Sequence, residues 1–166
     1  MKLAVPKEIV VGERRVALVP ETCKKLIKGG AEIAVEACAG QASYFSDDEY
    51  RSAGATVVAD LVTLVAEADF VLKVQPPVQN PTNGRHEADL LKSGSILLTT
   101  LYPTRNVDAV RRLASREITS FAADCFPRTT RAQTMDVLSS MANIGGYKGV
   151  IIAADELAKY FPMFMT

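Results

Sequence analysis

Between Phe126 and Asn143 the chain reads Phe126-Pro-Arg-Thr-Thr-Arg-Ala-Gln-Thr-Met-Asp-Val-Leu-Ser-Ser-Met-Ala-Asn143, and this run concentrates the side chains that could do chemistry. It holds the guanidiniums of Arg128 and Arg131, the carboxylate of Asp136, the hydroxyls of Ser139 and Ser140, and the carboxamides of Gln133 and Asn143. On a helix of 3.6 residues per turn, Gln133, Asp136, Ser139, Ser140 and Asn143 fall on one stripe. Met135, Val137, Leu138, Met141 and Ala142 fall on the other side. Polar groups set into so apolar a segment need partners, so the stripe faces either water or a ligand.

No nucleophile-and-base set competes with it. The only histidine, His86, sits among turn formers in Asn80-Pro-Thr-Asn-Gly-Arg-His86 and reads as a solvated loop residue. One histidine leaves no evident Ser-His-Asp or Cys-His pair. Cys23, Cys38 and Cys125 are widely spaced, without a C-x-x-C, so neither a zinc site nor a disulfide framework is implied. They read as buried thiols, and no metal site is expected.

The charges balance at 19 basic against 19 acidic residues, which argues against nucleic acid or an anionic membrane surface as the main partner. The longest apolar run, near Gly149 to Ala154, is too short to span a bilayer, and Lys2-Leu-Ala-Val-Pro6 opens no signal-peptide core. A cytoplasmic location is expected, which leaves room for tethering to a membrane partner.

The elements that must position the polar run alternate along the chain. Strands are expected at Leu3–Val5, Glu32–Val35, Thr56–Val58, Phe70–Val74, Ser95–Thr99 and Ile118–Ala122. Helices are expected at Pro20–Ile27, after the capping box Ser46-Asp-Asp-Glu49, at Leu61–Ala66, at Ala88–Leu91, and at Val107–Ser115 behind Asn106. This alternation implies a parallel sheet with helices on both faces, and ligands then sit beyond the carboxyl ends of the strands. Lys7 with Arg14 and Arg15, Lys73 with Gln75, Tyr102, and the loop from Asp124 to Arg131 all fall there. The expected class is α/β: a flavodoxin-like, doubly wound parallel sheet over residues 1–130. A long inter-domain helix follows over 131–166, running from Gln133 to about Phe161. Gly145, Gly146 and Gly149 inside it imply close packing against a neighbouring backbone. No G-x-G-x-x-G stands between a strand and a helix, so a dinucleotide-binding Rossmann domain is expected to be absent. The apolar end, Phe161-Pro-Met-Phe-Met-Thr166, reads as an interruption ahead of a missing NAD-binding domain.

Ala4-Val-Pro-Lys-Glu8, Gly12-Glu-Arg-Arg-Val-Ala-Leu18, Val35-Glu-Ala-Cys-Ala-Gly-Gln41, Ala53-Gly-Ala55 and Val71-Leu-Lys-Val74 together resemble the N-terminal domain shared by alanine dehydrogenases and the alpha subunit of proton-translocating NAD(P) transhydrogenase. The run Pro127 to Asn143 is similar to the transhydrogenase motif and unlike the alanine dehydrogenase one. The resemblance implies that Arg128, Asp136 and Ser139 bind the nicotinamide of NAD(H), that Arg128, Gln133 and Asp136 serve the reaction, and that Gln133 faces a partner domain holding NADP(H). It implies hydride transfer between the two cofactors coupled to proton translocation, membrane and NADP-binding partner subunits, a homodimer of alpha subunits, and peripheral attachment to the inner membrane. In alanine dehydrogenases the positions matching Arg15 and Lys73 hold the substrate, and Tyr102 stands where those enzymes carry a catalytic histidine. That departure argues against pyruvate chemistry. The alternatives are an alanine dehydrogenase-like fragment, or a non-catalytic scaffold that docks through the Gly-rich helix and apolar tail.

Overall fold

The structure is a computed structural model that describes residues 1–161. Six strands form one all-parallel sheet: β1 (Lys2–Val5), β2 (Glu32–Glu36), β3 (Thr56–Val58), β4 (Phe70–Leu72), β5 (Ile96–Thr99) and β6 (Thr119–Ala122). Helices α1 (Pro20–Lys28), α2 (Asp47–Ser52), α3 (Leu61–Ala66) and α4 (Val107–Ser115) connect them, and α5 (Val137–Glu156) follows. The chain divides into two compact units, residues 1–125 and 126–166.

Period-two alternation builds two cores in the first unit. Leu3, Val5, Ile33, Val35 and Leu72 point to one face and pack with Cys23 of α1 and Tyr50 of α2. Ala4, Val71 and Leu97 point to the other and pack with Leu64 and Val65 of α3 and Leu113 of α4. Burial on both faces is why the strands read as nearly continuous apolar runs. Ser46 and Glu49 form the expected capping box on α2: the Glu49 N–H donates to Ser46 Oγ at 3.3 Å and the Ser46 N–H donates to Glu49 Oε2 at 2.7 Å.

The strand order corrects the expected topology. It is β3-β2-β1-β4-β5-β6, the order that Rossmann-type sheets take, and not a flavodoxin-like order. In a flavodoxin-like sheet the third strand returns beside the first. Here β3 pairs outside β2, with Ala34 opposite Thr56, and β4 makes the return beside β1, with Leu3 opposite Phe70. Three strands therefore lie on each side of the reversal. The expectation named only the lack of a dinucleotide-binding Rossmann domain, yet the sheet of this unit itself takes the Rossmann-type order, while Pro6-Lys-Glu-Ile-Val-Val-Gly12 after β1 supplies no glycine fingerprint.

The last helix is also shorter than expected. Thr130–Met135 is a 3₁₀ segment, and α5 ends at Glu156, where Leu157 turns to extended backbone (ψ 123°). A Cβ built on Gly145, Gly146 or Gly149 would meet nothing within 4 Å, so the close packing expected at these glycines is not seen. The apolar tail Met163-Phe164-Met165 lies outside the described residues. The thiols differ too, since Cys23 is buried but Cys38 and Cys125 are exposed.

One glycine is fixed by close approach. A Cβ on Gly40 would sit 2.6 Å from Cε2 and 2.8 Å from the hydroxyl of Tyr50, which is fully buried and donates to the Leu18 carbonyl at 2.8 Å. Gly40→Ala must therefore displace Tyr50 or the loop after β2. Urea denaturation is expected to show a loss of about 1–3 kcal/mol.

Candidate functional site

At the carboxyl ends of the strands, the first unit holds a buried ion cluster. Lys73, just past β4, has its Nζ 2.8 Å from Glu87 Oε1 and 3.2 Å from Glu8 Oε2, and all three side chains are at most 3% exposed. The glutamates bind backbone as well. Glu8 accepts from the Val74 N–H (2.6 Å) and the Gln75 N–H (3.4 Å), and Glu87 accepts from the Val78 N–H (2.9 Å). The cluster thus fastens the loop after β1, the loop after β4 and the short 3₁₀ segment Glu87–Asp89 to one another. Two of the three Lys73 N–H donors are thus spent on carboxylates inside the protein. Glu36 lies nearby and accepts from the Lys7 N–H at 2.8 Å; burial pushes its carboxyl above the usual range.

The side chain that the β4 loop does present at this rim is Gln75, named with Lys73 at this strand end from the sequence. Its Nε2 donates to Glu13 Oε2 at 2.6 Å, and Glu13 grips Arg15 through Nε (2.8 Å) and Nη2 (2.5 Å). The Arg15 guanidinium, followed by Gln75 and the local backbone, holds the Glu13 carboxyl down at about 2. Arg14 turns the other way, lying over the Tyr44 ring at 5.5 Å from its centroid.

Tyr102 stands at the next strand end on left-handed backbone (φ 45°), unusual for a non-glycine residue. The Asp124 carboxylate accepts from the N–H groups of Leu101 (2.7 Å) and Tyr102 (3.1 Å), and Asn106 Nδ2 donates to both their carbonyls (2.8 and 3.3 Å). Asn106 thus spends its side chain on this turn and makes no side-chain cap bond to α4. His86 is likewise more than a loop residue. It is half-buried, its Nδ1 accepts from the Ala88 N–H at 3.2 Å as a helix cap, and burial lowers its pKa, so it sits as a neutral acceptor.

The second unit carries the residues singled out from sequence. Asp136 is the N-cap of α5: Oδ1 accepts from the Ser139 N–H (2.9 Å), Oδ2 accepts from Ser139 Oγ (2.6 Å), and the Asp136 carbonyl accepts from Ser140 Oγ (3.1 Å). These bonds, led by the Ser139 hydroxyl, hold the Asp136 carboxyl below its usual range; Arg128 adds only a weaker pull. None of the ion pairs among the described residues joins Arg128 to Asp136. Arg128, Gln133, Ser139, Ser140 and Asn143 are exposed, and Asp136 is half-buried. The structure therefore brings Asp136, Ser139 and Ser140 together at one helix start and leaves Arg128 and Gln133 solvated on the preceding segment. A carboxylate with a hydroxyl beside it and a nearby guanidinium can orient a planar amide-like group, but no proton donor or acceptor is set up for acid–base work.

Among the described residues there is no metal-ligating cluster, and no helix is long and apolar enough to cross a membrane. A cavity of about 450 Å³ opens at the opposite edge of the sheet, lined by Lys2, Glu32, Thr56 and Glu67 among others, and holds none of the candidate residues.

The family model described as "Alanine dehydrogenase/PNT, N-terminal domain" matches residues 4–145. The chain belongs to this family. An NAD(P) transhydrogenase alpha-subunit protein from Rhodospirillum rubrum is 43% identical over 166 residues, which is 100% of this chain and 43% of that protein. A crystal structure of transhydrogenase from Sinorhizobium meliloti matches with a TM-score of 0.89 and 39% identity, covering 100% of this chain and 48% of that one. An L-alanine dehydrogenase structure matches with a TM-score of 0.81 and 29% identity, covering 93% of this chain and 40% of that one. Within the family the chain thus stands nearer to these transhydrogenases than to that alanine dehydrogenase, and it spans less than half the length of each.

Two outcomes follow from the rim. Lys73→Ala leaves Glu8 and Glu87 buried without their cation, and denaturation should show a loss of about 3–5 kcal/mol. In a Glu8→Gln, Glu87→Gln background the further step Lys73→Met should cost much less. The second outcome concerns pH. Glu13 has a folded-state pKa below its unfolded value, so its stabilising contribution is present above the unfolded pKa and fades as pH falls toward about 2. Glu13→Gln should lower stability at neutral pH and flatten the acid limb of a stability–pH profile between about 4.5 and 2.

Proposed function

We propose that this chain contributes the nicotinamide-facing side of an NAD(H) site in a proton-translocating NAD(P) transhydrogenase. The observation that carries this reading is the start of α5. Asp136 and Ser139 are fixed to each other there, while the Arg128 guanidinium remains solvent-exposed a few residues before. A nicotinamide carboxamide offers one acceptor and two donors. Arg128 would donate to its carbonyl, Asp136 would accept from its amide hydrogens, and Ser139 would secure the carboxylate or bond the same group. The donor set therefore fits the cofactor. When bound, the dinucleotide supplies the hydride. The work of these residues is to fix the ring plane and exclude water, which needs no protein acid or base. Gln133, exposed on the 3₁₀ segment, would face the partner domain that holds NADP(H).

No glycine fingerprint is present, so the pyrophosphate cradle would come from a separate NAD-binding domain, with α5 as part of the connection to it. The relatives' name, subunit alpha, supports a complex with other subunits. In this reading those would be NADP-binding and membrane subunits that hold the site on the cytoplasmic side of the inner membrane, and alpha subunits would pair. A specific observation favours polypeptide partners: none of the residues of α5 is buried, and Met141, Ile144, Val150, Ile151 and Ile152 stand exposed on it.

In the complete protein carrying these residues, Arg128→Ala is expected to slow hydride transfer about 10- to 100-fold, the value of one charge-assisted hydrogen bond, with the far-ultraviolet circular dichroism unchanged. Stopped-flow rates equal to the parent's would refute the assignment. On the 166-residue chain alone, calorimetry is expected to find no micromolar affinity for NADH.

A further inference from the structure

The reversal of strand order between β1 and β4 places the loops after these two strands side by side, where open α/β sheets bind ligands. Glu13 and Arg15 come from the first loop and Gln75 from the second. Glu13 accepts from five donors: the N–H groups of Arg14 and Arg15, Arg15 Nε and Nη2, and Gln75 Nε2. That saturates a carboxylate. Arg15 is bound to it through two nitrogens, so its charge is matched inside the protein. Two neighbouring cations are committed elsewhere. Lys73 is buried between two glutamates, and Arg14 is drawn over Tyr44. Because a carboxylate takes only donors, Gln75 must turn its NH₂ to Glu13 and leave its carbonyl Oε1 as an acceptor at the rim.

We propose that Gln75 is a specificity-determining residue: with Glu13 it makes this rim accept a neutral, hydrogen-donating group such as a primary carboxamide and turn away small carboxylates. A carboxylate brought to the rim meets an acceptor, Gln75 Oε1, backed by the charged Glu13, and finds Arg15 already engaged. An amide NH₂ meets the same acceptor with favourable geometry. Tyr102, pinned at the adjacent strand end by Asp124 and Asn106, supplies an aromatic wall and a hydroxyl. This inference goes beyond the dinucleotide reading and does not depend on it, because every residue it uses lies in the first unit.

Nicotinamide and nicotinate test it, since they share a ring and differ only in carboxamide against carboxylate. Each is titrated into the ¹⁵N-labelled 166-residue chain while the backbone amide signals are followed. The expected result is saturable shifts at residues 13, 15, 75 and 102 with nicotinamide and none at the same concentrations with nicotinate. Gln75→Lys adds a cation that competes for Glu13, and the preference should swing toward nicotinate by at least about tenfold. Gln75→Met should lose the nicotinamide response without gaining one to nicotinate, and it decides the matter if the lysine variant does not fold. The proposal is overturned if nicotinate binds the unmodified chain as well as nicotinamide does, if neither probe moves those signals, or if Gln75→Met leaves the preference intact. Shifts confined to residues 128–139 would support the dinucleotide reading and still count against this one.

Discussion

A single buried ammonium organises the functional edge of the first unit. Lys73 lies between Glu8 and Glu87, and those glutamates also hold the backbone N–H groups of Val74, Gln75 and Val78. Three charges removed from water are costly unless geometry and extra hydrogen bonds compensate. Here the compensation comes from the loops themselves, so charge burial and loop placement cannot be separated. The consequence passes outward. The β4 loop places Gln75, Gln75 and Arg15 fix Glu13, and Glu13 fixes Arg15. What reaches solvent at the strand reversal is then a polar rim whose cation is already matched.

Much of this was legible in the sequence, and the exceptions have physical causes. Apolar runs at Leu3–Val5, Glu32–Val35 and Ser95–Thr99 identified strands buried on both faces, and Ser46 with Glu49 announced a helix start that the structure confirms. Strand order was not legible, because alternation of strands and helices says nothing about which strand returns beside β1. Six strands divide three and three about that reversal, and it is shown by the pairings of β3 with β2 and of β4 with β1. The start of α5 was misplaced for a local reason. Asp136 can either continue a helix or cap one, and here its carboxylate binds the Ser139 N–H and hydroxyl, so the helix begins at Val137.

Other residues carried roles that composition hides. Lys73 and Gln75 are two apart, a spacing that puts both on one face of a continuing strand. The strand β4 instead stops at Leu72, and past it the backbone sends Lys73 into the ion cluster and Gln75 to the rim. Asn106, a natural helix cap by type, instead clamps the Leu101–Tyr102 turn together with Asp124, and that clamp holds Tyr102 at a positive φ. Strained backbone held from both sides is characteristic of functional rims. The one sequence signal for it is Asp124, a carboxylate placed just after the last strand.

Asp136 is the point on which the functional reading turns, because it has two roles that can be separated. As a cap it needs only a short polar acceptor, and asparagine caps a helix as well as aspartate does. As a nicotinamide contact it needs its charge. The direct measurement is therefore the pre-steady-state rate of hydride transfer in the complete protein bearing Asp136→Asn, with thermal unfolding recorded alongside. The account predicts unchanged unfolding and a transfer rate reduced about tenfold or more. Unchanged unfolding with an unchanged rate would leave Asp136 a helix cap and contradict the assignment of this segment to the nicotinamide site.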